Sequence, residues 1–117
     1  MELRDFIVDY KATLIQAARQ IQKNKNRSVI VVRENRVIGV VSEGDILRAL
    51  LKGMNVHTPL NEFMDFSFRY LMKKDYVEAY NLFKKYLFSL LPIVDENFQL
   101  QDVITLKDIF IWLEQKK

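Results

Sequence analysis

The sequence predicts a mixed α/β (α+β) domain built from two pseudo-symmetric copies of one strand-helix-hairpin-helix unit that share a single core. Three observations predict it. The stretch GVVSEGDI, Gly39 to Ile46, runs an apolar strand into Ser42 and Asp45, and DVITLKDI, Asp102 to Ile109, puts Thr105 and Asp108 at the same points 63 positions later (105 − 42 and 108 − 45). Self-similarity at a fixed spacing of this size marks an internal repeat. Upstream, Thr13 with Gln16 is echoed by Asp75 with Glu78 at a spacing of 62 (75 − 13 and 78 − 16), and both pairs have helix capping-box spacing. Finally, 117 residues, half of them apolar, suffice for one compact core and not for two independent ones, so the copies must share theirs.

The elements follow in order. Phe6, Ile7 and Val8 form a short strand candidate that ends in the polar turn Asp9 to Ala12. Thr13 then caps a helix with Leu14, Ala17, Ala18 and Ile21 on one face, stopped by the polar run Lys23 to Asn26. Val29 to Val32 and Val37 to Val41, separated by the turn Arg33 to Arg36, read as a β-hairpin. Ser42 starts a second helix with the stripe Ile46, Leu47, Leu50 and Leu51, ending at Gly53. In the connector, Thr58 is expected to cap a single helical turn with Pro59 at its first position. The second copy opens with Phe66 to Met72 as a strand, then a helix bearing Val77, Tyr80, Phe83 and Leu87. The offset reaches 63 by Pro92, which places one extra residue within KKYLFSLL. A hairpin of Pro92 to Asp95 and Leu100 to Ile104 turns at Glu96 to Phe98, and Ile109, Phe110 and Leu113 mark the last helix. Residues 1–55 form the first copy, and residues 56–117 the connector and second copy.

Composition narrows the function. With no Cys there is no disulfide framework or thiolate metal site, and MELRDFIV lacks the apolar core of a secretory signal, so a cytoplasmic protein is expected. The longest apolar run, Tyr86 to Val94, falls short of the roughly 20 residues that span a bilayer. The net charge of +3 comes from scattered short basic groups such as Lys73 with Lys74, which leaves nucleic-acid binding a minor alternative. One histidine, His57, in a polar connector, and no glycine-rich phosphate loop leave nucleophilic, zinc and P-loop chemistry without their parts, so no enzyme, metal site or catalytic cofactor is expected. Carboxylates such as Asp5 and Asp9 read as solvated caps. Twelve of the fourteen aromatic residues follow Gly53, which reads first as a core with larger side chains and otherwise as a dimer or docking surface.

The set TLIQAARQI, SVIVVRENRVIGVVSEGDILRALL, a connector ending in FM, VEAYNLF and LPIVDENFQLQDVITLKDI resembles a tandem pair of CBS domains, the regulatory Bateman module, over essentially the whole chain. The run GVVSEGDILRALLKG followed by TPLNEFM is similar to the pairs that precede sugar nucleotidyltransferase domains, although Leu47 stands where those relatives tend to carry arginine. A stand-alone module or a fragment is expected, with a nucleotidyltransferase as partner or missing domain.

The resemblance implies a homodimer and a site for an adenine nucleotide (AMP, ADP or ATP) or S-adenosylmethionine in clefts between the copies, at Ser42, Asp45, Thr105 and Asp108. A carboxylate can take both hydroxyls of a ribose, and a helix start offers donors to phosphate. Lys107, in the first turn of its helix, is the first cationic candidate for phosphate, followed by Arg48 and Arg27. Two alternatives stay open. The Ser/Thr-to-Asp spacing is also that of a plain capping box, and a module that only dimerises and docks an enzyme needs no ligand. The first site is the stronger expectation, because Asp102 replaces Gly39 in the second and brings a negative charge towards an anionic ligand.

Overall fold

The computed structural model describes residues 1–116; Lys117, where the second copy was expected to end, lies outside the described residues. Strand β1 (Ile7–Asp9) leads into α1 (Leu14–Asn24), the hairpin β2 (Ser28–Arg33) and β3 (Arg36–Ser42), and α2 (Glu43–Leu51). After the connector come α3 (Tyr76–Lys85), the hairpin β4 (Leu90–Val94) and β5 (Leu100–Thr105), and α4 (Leu106–Gln115). β1 pairs parallel with β2 in a three-stranded sheet of order β1-β2-β3, while β4 and β5 form a separate antiparallel pair. Among the described residues, no helix is long and apolar enough to cross a membrane.

The strands are apolar on both faces because both faces are covered. Val29, Val31 and Val41 pack under α1 and α2 with Leu14, Ala17, Ile21 and Ile46, and Leu91, Ile93 and Ile104 pack under α3 and α4 with Ala79 and Ile109. The alternate side chains meet in the middle: Phe6, Ile30 and Val37 of the first copy form one buried cluster with Leu90, Val94 and Val103 of the second. This middle layer is the shared core. A Val37 N–H donated to the Phe98 carbonyl at 2.8 Å ties the two hairpins across it.

Local chemistry sets the boundaries. Thr13 accepts from the Gln16 N–H and the Gln16 side chain accepts from the Thr13 N–H, a complete capping box, and α1 ends where Lys25 enters the left-handed region at φ 60°. Glu34 and Asn35, both at positive φ, make the two-residue turn that matches strand twist in a hairpin. The second hairpin turns over three residues instead, Glu96 to Phe98, with Phe98 at φ 60° and the Asp95 carboxylate accepting from the Asn97 and Gln99 N–H groups. That turn holds the extra residue. The pairs Val29/Leu91 and Val31/Ile93 keep a spacing of 62, and Val41/Ile104 and Ile46/Ile109 have 63, so the insertion lies after β4 and not within KKYLFSLL.

Several further expectations are corrected. Phe66 to Met72 is not a strand: only Leu71 bridges to Ile93, donating to the Pro92 carbonyl and accepting from the Val94 N–H. Extending this parallel ladder backwards requires the N–H that Pro92 lacks. On α2 only Ile46 and Ala49 are buried, while Leu47 (58%), Leu50 (41%) and Leu51 (78%) are exposed. On the second copy's helices Val77 and Phe110 are exposed, and Leu87, beyond the end of α3, is fully so. Asp75 caps α3 through the Val77 and Glu78 N–H groups without a return bond from Glu78. Thr58 is not a side-chain cap; its carbonyl accepts from the Leu14 N–H, and Leu60 donates to Ala12, so the connector is stitched to the start of α1. Phe6 is the one fully buried aromatic residue among those described. Most late aromatics form half-buried margins, such as Tyr76 and Tyr80 against Trp112, while Phe66, Tyr70 and Phe110 are exposed.

Candidate functional site

Both helix starts that follow the hairpins carry complete capping boxes. The Ser42 hydroxyl accepts from the Asp45 N–H at 3.1 Å while the Asp45 Oδ2 accepts from the Ser42 N–H at 2.9 Å. Thr105 and Asp108 repeat this at 3.2 and 2.8 Å. Capping therefore engages all four expected residues, and what distinguishes them is the space and charge around each carboxylate.

At the first copy the connector narrows the space beside Asp45. Gly39 sits where the connector crosses β3: a Cβ there would overlap Met64 Cε and come within 3.1 Å of the Asp65 carbonyl oxygen. The absence of a side chain at Gly39 admits the connector. What remains beside Asp45 is a pocket of about 200 Å³ bounded by Phe63, Met64 and Asp65. The second carboxylate oxygen of Asp45 is taken by Arg48, whose Nη2 lies 2.6 Å from Oδ1. Ser42 and Arg27 open elsewhere, onto a cleft of about 590 Å³ between the starts of α2 and α4. At its base the Ser28 and Ser89 hydroxyls share a 2.9 Å hydrogen bond across the two copies. The leading N–H groups of both helices are already spent there, Glu43 on the Arg27 carbonyl and Leu106 on that of Ser89. Ser42 and Asp45 thus line two different openings, Ser42 with the cationic candidate Arg27 and Asp45 with Arg48.

The second copy keeps its set together. Thr105, Lys107 and Asp108 line one cleft of about 520 Å³, closed on the far side by Met1, Leu3 and Phe6 of the first copy. Here the Oδ1 of Asp108 has no hydrogen-bond or ionic partner among the described residues, and neither has Lys107. Asp102 does line this cleft, as expected, but Lys74 neutralises it at 3.0 Å. Burial works against the Asp102 carboxylate, yet the Lys74 ammonium and the Val103 N–H together outweigh it and hold the carboxyl below its ordinary value. The hydrogen bond to Asp102 raises Lys74 in turn, so both groups are charged at neutral pH.

Lys74, Gln101 and Asn26 belong to this lining and were missed. Lys74 follows no repeat signal, since Ala12 stands 62 positions before it; the usable clue was that Asp102, replacing a glycine, called for a counter-charge. His57 is exposed, and among the described residues no three His, Cys, Asp or Glu side chains are grouped to hold a metal ion.

The family model described as CBS domain matches residues 3–52 and 73–115. A 17.7 kDa protein of Acidianus ambivalens is 24% identical over 106 residues, covering 89% of this chain and 64% of its own length. Arabinose 5-phosphate isomerase GutQ of Escherichia coli O6:H1 is 29% identical over 101 residues, 85% of this chain and 32% of the isomerase. The chain thus spans about two thirds of the one relative and a third of the other. Among solved structures, the CBS domain pair of protein MJ0100, in complex with 5′-methylthioadenosine and S-adenosyl-L-methionine, aligns over 96% of this chain and 90% of its own, with TM-score 0.80 and 20% identity. The CBS domain protein PAE2072 from Pyrobaculum aerophilum, complexed with AMP, aligns over 93% and 90%, with TM-score 0.76 and 21% identity. At these identities the likeness is one of fold.

Proposed function

The chain belongs to the CBS domain family, and on that premise we propose that it is a cytoplasmic regulatory module that binds AMP, ADP, ATP or S-adenosylmethionine in the cleft at Asp108 and controls a partner enzyme. The observation that carries the reading is the unengaged Asp108 Oδ1 beside Lys107 in a 520 Å³ cleft walled by both copies. A carboxylate there can accept from ribose hydroxyls and the ammonium can face a phosphate. The adenosyl ligands of the MJ0100 pair and the AMP of PAE2072 support the choice of ligand class. Because the cleft joins Met1, Leu3 and Phe6 to the start of α4, a ligand that prefers one arrangement of the copies biases their equilibrium by that preference. A sugar nucleotidyltransferase is the partner class we favour, on the likeness of GVVSEGDILRALLKG and TPLNEFM to modules that precede such enzymes. A thermal-shift screen with AMP, ADP, ATP and S-adenosylmethionine tests the reading: at least one should raise the melting temperature dose-dependently, and a flat response to all four at millimolar concentration removes it.

A second reading, a ligand-free dimerisation and docking module, is favoured by the exposed apolar side chains of α2 and α4, Leu47, Leu50 and Leu51 with Phe110 and Ile111. A second copy is the occupant we propose for that surface in either reading. Sedimentation should show dimer for the native chain and monomer for Leu50→Glu; a native chain that stays monomeric at high concentration, with and without nucleotide, excludes it.

A further inference from the structure

We propose that Asp102 limits the negative charge the second cleft accepts, so that the cleft favours an adenosine ligand with one phosphate, or none, over di- and triphosphates. The proposal rests on the adenine-ligand reading above and deepens it. Four ionisable side chains line the cleft: Lys74, from the segment before α3, Asp102 on β5, and Lys107 and Asp108 in the first turn of α4. The formal charges of these four cancel, and the amino group of Met1 is a fifth ionisable group in the lining. Lys74 is engaged by Asp102 at 3.0 Å, so Lys107 is the one cation of the four left without an anionic partner among the described residues.

A phosphomonoester brings about −1.5 to −2 charges at neutral pH, which the Lys107 ammonium can offset together with the Lys107 N–H, since the Leu106 and Asp108 N–H groups are already given to Ser89 and Thr105. Each further phosphate enters with no second unpaired side-chain cation to meet it and adds negative charge to a cleft that carries two carboxylates, Asp102 and Asp108. The first copy carries no such charge at the matching strand position, where Gly39 stands for the separate reason that the connector crosses it. Asp102 and its partner Lys74, for which the first copy has Gly39 and Ala12, are thus an ion pair that the second cleft alone carries, and in it Asp102 occupies a cation that would otherwise face the ligand.

Isothermal titration with adenosine, AMP, ADP and ATP, at fixed ionic strength and with chelator to keep ATP free of magnesium, tests this on the whole chain. The native protein should bind AMP more tightly than ATP. Asp102→Asn keeps an oxygen for the Val103 N–H and frees Lys74, and it should tighten ATP by about tenfold while moving AMP much less. Lys74→Gln, which leaves Asp102 unpaired, should weaken every phosphate-bearing ligand and spare adenosine. Native binding of ATP over AMP, or an ATP-to-AMP ratio unmoved in an Asp102→Asn protein that still binds AMP, overturns this inference and leaves the adenine reading standing. No binding of any of the four, nor of S-adenosylmethionine, to the native chain removes both.

Discussion

Truncating the two equivalent carboxylates separates helix cap from ligand group, because the structure makes them nearly equal in the first role and unequal in the second. Asp45→Ala and Asp108→Ala each delete one return bond to the backbone, of 2.9 and 2.8 Å, and leave the Ser42 or Thr105 hydroxyl bond in place. Loss of half a capping box costs about 1 kcal/mol. Asp45 also loses Arg48, but with side chains 65% and 40% exposed that pair adds only a few tenths of a kcal/mol. For a chain of this size, 1 kcal/mol lowers the melting temperature by about 3–5 °C. A ligand at a hundred times its Kd stabilises by about 2.7 kcal/mol, or roughly 8–13 °C. The assay is scanning fluorimetry at fixed protein concentration, with and without the nucleotide that shifts the native protein most. Both variants should melt a few degrees lower unliganded; Asp45→Ala should keep the nucleotide rise, and Asp108→Ala should lose most of it. A full rise retained by Asp108→Ala would show that the carboxylate is a cap and nothing more, and a rise lost only in Asp45→Ala would mean that the connector leaves the first pocket on binding.

Two further outcomes follow from the same geometry. Gly39→Ala should lower stability in urea by about 1–2 kcal/mol, as its methyl group displaces Met64 and presses on the Asp65 carbonyl, less a small gain from replacing a strand glycine; unchanged or increased stability would mean the connector does not pack there. Asp102 and Asp5 both have folded carboxyls held below the ordinary 3.8, Asp5 first by its bond from the Glu2 N–H, so their contribution is present above that value and lost as pH falls through the lower folded ones. Urea midpoints of the native chain and Asp102→Asn, measured from pH 5 downward, should therefore converge in acid, and a gap that widens as pH falls would contradict the Lys74 pairing.

Capping boxes and hairpins were legible because they are local: Thr13, Ser42, Asp75 and Thr105 each bond within three residues of themselves, and the β-branched runs need only their neighbours to be extended. Burial was less so. The stripe Ile46, Leu47, Leu50 and Leu51 satisfies helical spacing, but α2 leans on its sheet through Ile46 and Ala49, and a small residue carries no signal of being the contact. The strand expected at Phe66 to Met72 fails on a hydrogen-bonding atom that Pro92 lacks in another element, some twenty residues away. The site divided the same way. That Thr105, Lys107 and Asp108 belong together was readable from one helix turn, whereas the approach of Met64 to the first copy's strand depends on a connector path that passes a glycine.

The middle layer makes the two copies unequal in time. A chain made from its N-terminus presents Ile30 and Val37 before Leu90, Val94 and Val103 exist to cover them. The first sheet therefore emerges with one apolar face bare and waits some sixty residues, several seconds of synthesis, for its other half. Throughout that interval it is a surface for holdases and for the same sheet on neighbouring nascent chains. The hydrogen bond from Val37 to Phe98 is among the last that can form, so passage from vulnerable to finished protein coincides with delivery of the second hairpin.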